Sequence, residues 1–293
     1  MAGPQTPQST PPPTPAVEVE DTQSLRSLMV GTTDISRPIV KKLIEGNQIK
    51  PGQLGAENQD ELQARLMTAH YIQLYYKKEN QQQVTEKETP QVVALSCIFL
   101  ACKVLDFPKR MKMLIRAYNQ VLAEKKDPEL SDQQQSKMVD KILKLEFHLL
   151  RISCFLFDVQ MPSQFLEEKL NRFCDAVFSY PEFEKAYPYE RKQLRKVMFT
   201  TASRFAVDAY CGNPELSRDM DVLTTASIVF ASRYILRSKS TSSPAVVAAL
   251  DKMPDAVNFV VKGELTPEYN QGVKAAIEGI MQVFRGRAKT SQK

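Results

Sequence analysis

The chain has almost no catalytic vocabulary. Of its 293 residues only two are histidine, His70 and His148. No HExxH pair and no Gly-rich phosphate loop occurs. His148, within Phe147-His148-Leu149, reads as a partly exposed helix residue rather than a base. The carboxylates are scattered over solvated faces. No catalytic residue, metal ligand or cofactor is therefore assigned, and an enzyme is the least supported class. The five cysteines, Cys97, Cys102, Cys154, Cys174 and Cys211, are odd in number and have no CxxC spacing. Most sit in apolar helical runs, as small buried thiols of a reducing compartment do. No apolar run reaches the ~20 residues that span a bilayer. Residues 1–15, rich in Pro, Gln and Thr, lack the apolar core of a signal peptide. A soluble intracellular protein is expected. Strand patterns of any length are missing too, which leaves an all-α chain.

Charge is mixed, with 39 Lys and Arg against 34 Asp and Glu and a formal net of +5. Strong nucleic-acid binders concentrate positive charge, and this chain spreads it. Direct nucleic-acid binding is not expected. The short basic runs 109–112 and 285–293 read as solvated surface.

What the chain does have is a repeated apolar helix. The first runs over 90–103 and the second over 220–233. Val92 meets Val222, Ile98 meets Ile228, Ala101 meets Ala231 and Lys103 meets Arg233, all at an offset of 130 positions. A helix apolar or small on every side must be surrounded by protein. Two such helices predict two helical units, each of about five helices around a central one.

Around them, residues 1–24 read as a Pro-rich disordered tail. The first unit occupies 25–160. A short helix is expected over 36–45, with Ser36 near its N-cap and Pro38 in its first turn. A longer one is expected over 60–78, with Leu62, Leu66, Ala69, Ile72 and Tyr76 on one stripe. Helix 109–123 turns Met113, Ile115 and Val121 inward. Residues 124–136 read as loop and 137–154 as the fifth helix. The second unit occupies 161–285, with helices over 163–178, 190–210, 244–250 and 267–285 besides the apolar one. Cys211-Gly212-Asn213-Pro214 reads as a break. Residues 237–243 form a Ser-rich loop, and 286–293 a basic tail.

Two charged residues stand out. Lys103 ends the first apolar helix. Glu146 lies three after Leu143 and four before Leu150, on an otherwise apolar stripe. Pattern alone allows plain readings of both: a cation complementing a helix C-terminus, and a carboxylate at the edge of the core.

Leu100-Ala101-Cys102-Lys103-Val104-Leu105-Asp106 followed by Pro108-Lys109 resembles the cyclin-box pattern LAxKxxE with its following Pro and basic residues. Glu146 to Phe155 resembles the fifth cyclin-box helix, and Pro162-Ser163-Gln164-Phe165-Leu166 the entry to a second box. The resemblance covers roughly residues 36–285. It departs from the family at Leu156, which replaces an Asp, and in lacking an MRAIL-type docking motif before Leu62. These departures resemble the divergent transcription-type cyclins (C-, H-, K-, L- and T-like), among them those of kinases acting on the C-terminal domain of RNA polymerase II. The resemblance implies tandem cyclin boxes, a nuclear location and a non-catalytic subunit that activates a cyclin-dependent kinase in a heterodimer. Lys103 and Glu146 would then contact the kinase C-helix. Val104, Asp106, Leu150 and Phe155 would complete the kinase-binding face. A divergent second box leaves room for a third subunit. The competing readings are a TFIIB-like core, which would need a zinc ribbon that this chain lacks, and a helical adaptor without a kinase.

Overall fold

The computed structural model describes residues 18–45, 59–82, 88–160, 162–178, 188–238 and 266–290. Among them the chain is helical and has no strand, so the all-α class holds. In chain order the helices are α1 (Glu18–Glu45), α2 (Gln59–Gln82), α3 (Pro90–Val104), α4 (Met111–Glu124), α5 (Asp132–Ile152), α6 (Pro162–Phe178) and α7 (Pro188–Gly212). A 3₁₀ turn (Pro214–Arg218), α8 (Met220–Ser238) and α9 (Pro267–Thr290) follow. The helix expected over 244–250 and most of the Ser-rich loop lie outside the described residues.

Side chains start these helices by taking up N–H groups that have no partner inside the first turn. Thr89 accepts from Val92 N at 3.5 Å, ahead of Pro90 in the first turn of α3. Asp219 accepts from Val222 N at 2.9 Å for α8. Thr266 accepts from Tyr269 N at 3.2 Å for α9. At α5, Ser131 and Gln134 form a reciprocal capping box.

Three helices of the first unit stop in the same way. After α3, α4 and α5 the chain passes through a left-handed residue: Asp106 (φ 58°), Lys126 (φ 62°) and Cys154 (φ 53°). The following N–H reaches back five residues, Phe107 to Cys102 O at 3.1 Å, Asp127 to Leu122 O at 2.9 Å and Phe155 to Leu150 O at 3.0 Å. This is the Schellman closure, built without the glycine that normally marks it. A non-glycine residue there costs about 1 kcal/mol. Lys126 is exposed, and Lys126→Gly is expected to stabilise the protein by about 0.5–1 kcal/mol in urea denaturation. A destabilised variant would contradict this.

The α3 helix is central to the first unit, with Val92 to Cys102 all buried. Its Leu95, Ile98, Phe99 and Cys102 face a cluster with Ile39, Val40 and Leu43 of α1 and Leu114, Ala117 and Tyr118 of α4. Its Val92, Val93, Cys97 and Leu100 join a second cluster. That cluster continues through α2, α5, α6, α7 and α9 to Leu223, Ala226 and Ile228 of α8. One apolar core therefore runs through both units. Gly212 serves it too, because a Cβ there would lie 2.6 Å from a Val283 methyl of α9.

Polar groups clasp the two units together. Arg65 of α2 is ion-paired with Asp208 of α7, and Arg37 of α1 approaches the same carboxylate at 3.7 Å. Gln73 donates to Tyr210 O at 3.3 Å, and His70 Nδ1 lies 3.3 Å from the Tyr210 hydroxyl. Burial, aided by nearby Lys77, lowers the His70 pKa from 6.5 to about 4. Folding thus excludes a proton from the ring. The stability tied to this site is complete above pH 6.5 and falls as the pH drops from 6.5 towards 4, by up to about 3 kcal/mol. His70→Gln is expected to flatten this part of the stability–pH profile. Parallel profiles for variant and wild type in urea titrations would refute it.

Several boundaries differ from the sequence reading. α1 begins at Glu18 rather than Ser36, inside the segment read as tail, and carries Pro38 within it. Its buried face uses hydroxyls: Thr32 bonds the Tyr76 hydroxyl at 2.8 Å, Thr33 donates to Met29 O and Ser36 to Thr33 O, both at 2.8 Å. Apolar periodicity cannot reveal such a face. α4 turns Leu114, Ile115, Ala117, Tyr118 and Val121 inward and leaves Met113 exposed. α5 starts at Asp132, within the expected loop, because the capping box nucleates a polar first turn. α7 continues through Gly212, and α9 reaches Thr290, past the start of the expected basic tail.

Candidate functional site

Lys103 and Glu146 meet. Lys103 in the last turn of α3 donates to Glu146 Oε1 of α5 at 2.6 Å. The Glu146 side chain is 10% exposed and that of Lys103 44%. Lys103 Nζ also sits 4.2 Å from the centroid of the Phe99 ring. The helix stripe places Glu146 between buried Ile142 and Leu149, and Lys103 is its one ion-pair partner among the described residues. Among the described residues Glu146 Oε2 has no hydrogen-bond partner, and two of the three Lys103 N–H groups are unused. The pair is satisfied internally yet has capacity for an outside donor and acceptor.

An apolar surface adjoins the pair. Leu143 and Phe147 occupy consecutive turns of α5 beside Glu146, and both are exposed, Phe147 at 60%. The Schellman closure of α5 carries two left-handed residues in succession, Cys154 and Phe155 (φ 57°). It leaves Phe155 57% and Leu156 72% exposed, with Phe157 beside them. Five large apolar side chains are thus exposed between positions 143 and 157. Backbone held in a sparsely populated conformation beside them fits a functional constraint.

The other expected members take different places. Leu150 follows Glu146 by one turn, and Val104 follows Lys103; both are half-buried against the core. Phe155 is tied to Leu150 by its backbone bond. Asp106 is exposed past the end of α3. Sequence reasoning missed Leu143, Phe147, Leu156 and Phe157. The spacing of Leu143 and Phe147 was visible, but an apolar residue on a helix stripe reads as core unless the neighbouring helix is known.

The second unit does not repeat this site. Arg233, the counterpart of Lys103, is exposed and has no ion pair among the described residues. The position 130 beyond Glu146 is Ala276, which is buried. The buried lysine of the second unit is paired elsewhere. Lys169 of α6 donates to Asp221 O at 2.7 Å and Thr225 Oγ1 at 2.6 Å, and pairs with Asp221 Oδ1 at 2.7 Å. Tyr269 of α9 donates to Asp221 Oδ2 at 2.6 Å. Burial lowers the Lys169 pKa, opposed by its contacts with Asp221. The network joins three helices.

All five cysteines are free, and only Cys154 is exposed. Among the described residues no group of His, Cys, Asp and Glu could hold a metal ion. No described helix is long and apolar enough to cross a membrane.

No family model matches the chain. No curated protein matches it either. Among solved structures it is similar to a chain of the CAK complex of Chaetomium thermophilum bound to ATP-γ-S, at 15% identity and a TM-score of 0.37, over 90% of this chain and 83% of that one.

Proposed function

We propose that the chain is a cyclin-type regulatory subunit, non-catalytic itself, that binds and activates a cyclin-dependent kinase as a heterodimer. We place it among the transcription-type cyclins, in the nucleus, with a kinase that phosphorylates the C-terminal domain of RNA polymerase II. The observation that carries this reading is the Lys103–Glu146 pair, held with spare hydrogen-bonding capacity at the edge of an uncovered apolar face.

A helix presents N–H groups and a partial positive charge at its N-terminus. Glu146 Oε2 can accept from such groups on the kinase C-helix, and Lys103 can donate to carbonyls beside them. Leu143, Phe147, Phe155 and Leu156 then bury against the kinase. Exposed as they are, covering these side chains is worth roughly 5 kcal/mol. Turning a kinase from 1:99 inactive to 99:1 active needs about 5.5 kcal/mol of differential affinity. The apolar face is of that order, provided only the inward C-helix can reach it.

The test is a kinase assay on a heptad-repeat peptide of the polymerase tail, with a co-purified cyclin-dependent kinase. Phosphorylation that requires this chain is the expected result. A kinase equally active alone, or no kinase retained by the chain, sinks the reading.

A further inference from the structure

A second surface lies on the second unit. The groove between α8 and α9 has a volume of about 330 Å³ and is lined by Phe230, Arg233, Tyr234, Arg237, Ile277 and Met281. Its floor is apolar and firmly backed. Phe205 holds Phe230, Tyr234 and Phe284 edge-on at centroid distances of 4.7, 5.4 and 5.0 Å. Tyr234 is nevertheless 51% exposed. Arg233 and Arg237 are both exposed, stand one turn apart on one wall, and have no ion pair among the described residues. Further along α9, Lys274 and Arg285 share the helix stripe of Ile277 and Met281. The one carboxylate on that stripe is Glu278, a turn from Lys274. Among the described residues the lining of the groove thus carries two cations and no carboxylate.

We propose that this groove docks an acidic amphipathic helix of another protein. An apolar floor with two exposed arginines one turn apart along one wall suits a helix that carries an apolar stripe flanked by carboxylates. A helix laid between α8 and α9 would set its apolar anchors on Phe230, Ile277 and Met281. Carboxylates one turn apart on it match Arg233 and Arg237, whose planar forks bind carboxylates bidentately. The groove is built from α8 and α9, while the Lys103–Glu146 face is built from α3 and α5, so the docking does not depend on the kinase reading.

The probe is a designed peptide of about 18 residues, roughly five helical turns, with a Leu/Phe stripe flanked by Glu pairs at i,i+4. Its twin carries Lys in place of each Glu. Fluorescence anisotropy against the full chain is expected to show saturable binding of the acidic peptide and at least tenfold weaker binding of the twin. Arg233→Glu/Arg237→Glu is expected to weaken the acidic peptide at least tenfold, with an unchanged melting curve because both side chains are exposed. Met281→Asp should act likewise, and Lys103→Ala should leave peptide binding untouched. Equal binding of the two peptides, or undiminished binding by the double arginine variant, overturns the proposal. So does tighter binding of a phosphoserine peptide lacking the apolar stripe, which would make the groove a phosphate site. A concentration-dependent dimer abolished by Arg233→Glu/Arg237→Glu would assign it to a second copy of the chain and overturn it equally.

Discussion

Lys103→Ala and Glu146→Ala are each expected to weaken kinase binding by roughly 2–5 kcal/mol, a loss of about 30-fold to 5,000-fold in affinity. The two changes differ in their effect on the fold. Glu146→Ala leaves a lysine that is half in water and can rehydrate. Lys103→Ala leaves a carboxylate that is nine-tenths buried without its cation, which costs about 1–3 kcal/mol of stability. A third variant separates folding from binding. Lys103→Met/Glu146→Leu replaces the pair with apolar side chains of similar volume, which is often neutral or stabilising. It should fold at least as well as wild type and still fail to hold the kinase. Retention of kinase by this variant at wild-type yield in a pull-down would show that the pair is only structural.

Asp208→Ala is expected to cost about 3–5 kcal/mol of stability. Arg65 is 7% exposed. Removing Asp208 leaves its guanidinium buried without that counter-charge, and Arg37 loses the same carboxylate. Arg65→Met/Asp208→Leu removes both charges and should recover much of the loss. Because one core passes through both units, urea denaturation should remain a single transition in each variant. A loss below about 1 kcal/mol in Asp208→Ala would mean that water reaches Arg65.

The parts of the molecule readable from sequence are those where one side-chain property repeats. α3 and α8 as far as Ser232 carry apolar or small side chains on nearly every side, and the 130-residue offset between them could be read directly. The stripe Leu66, Ala69, Ile72 and Tyr76 on α2 is buried as its spacing requires. Lys103 and Glu146 were legible because a charge on an apolar stripe is conspicuous. Other features had no such mark. The buried face of α1 around Thr32, Thr33 and Ser36 is held by hydroxyls, and a Gly-Thr-Thr-Asp run looks like loop. The stops at Lys126 and Cys154 lack glycine. Arg65, Asp208, Lys169 and Asp221 resemble any other surface charges until the fold sets partners more than 50 positions away beside them. The groove on the second unit combines α8 with α9, and no stretch of sequence holds both walls.

The apolar core shared by the two units means that they are not interchangeable modules. A fragment ending near residue 160 would carry the whole Lys103–Glu146 face but would bare the surface of α2 that α7 covers. If the chain activates a kinase as proposed, a random screen for loss of that activation should return hits at Leu194, Leu223 or Ile280 as readily as at Glu146. On the proposed function, substitutions at those distant interior sites would present as partner-binding defects while touching no partner.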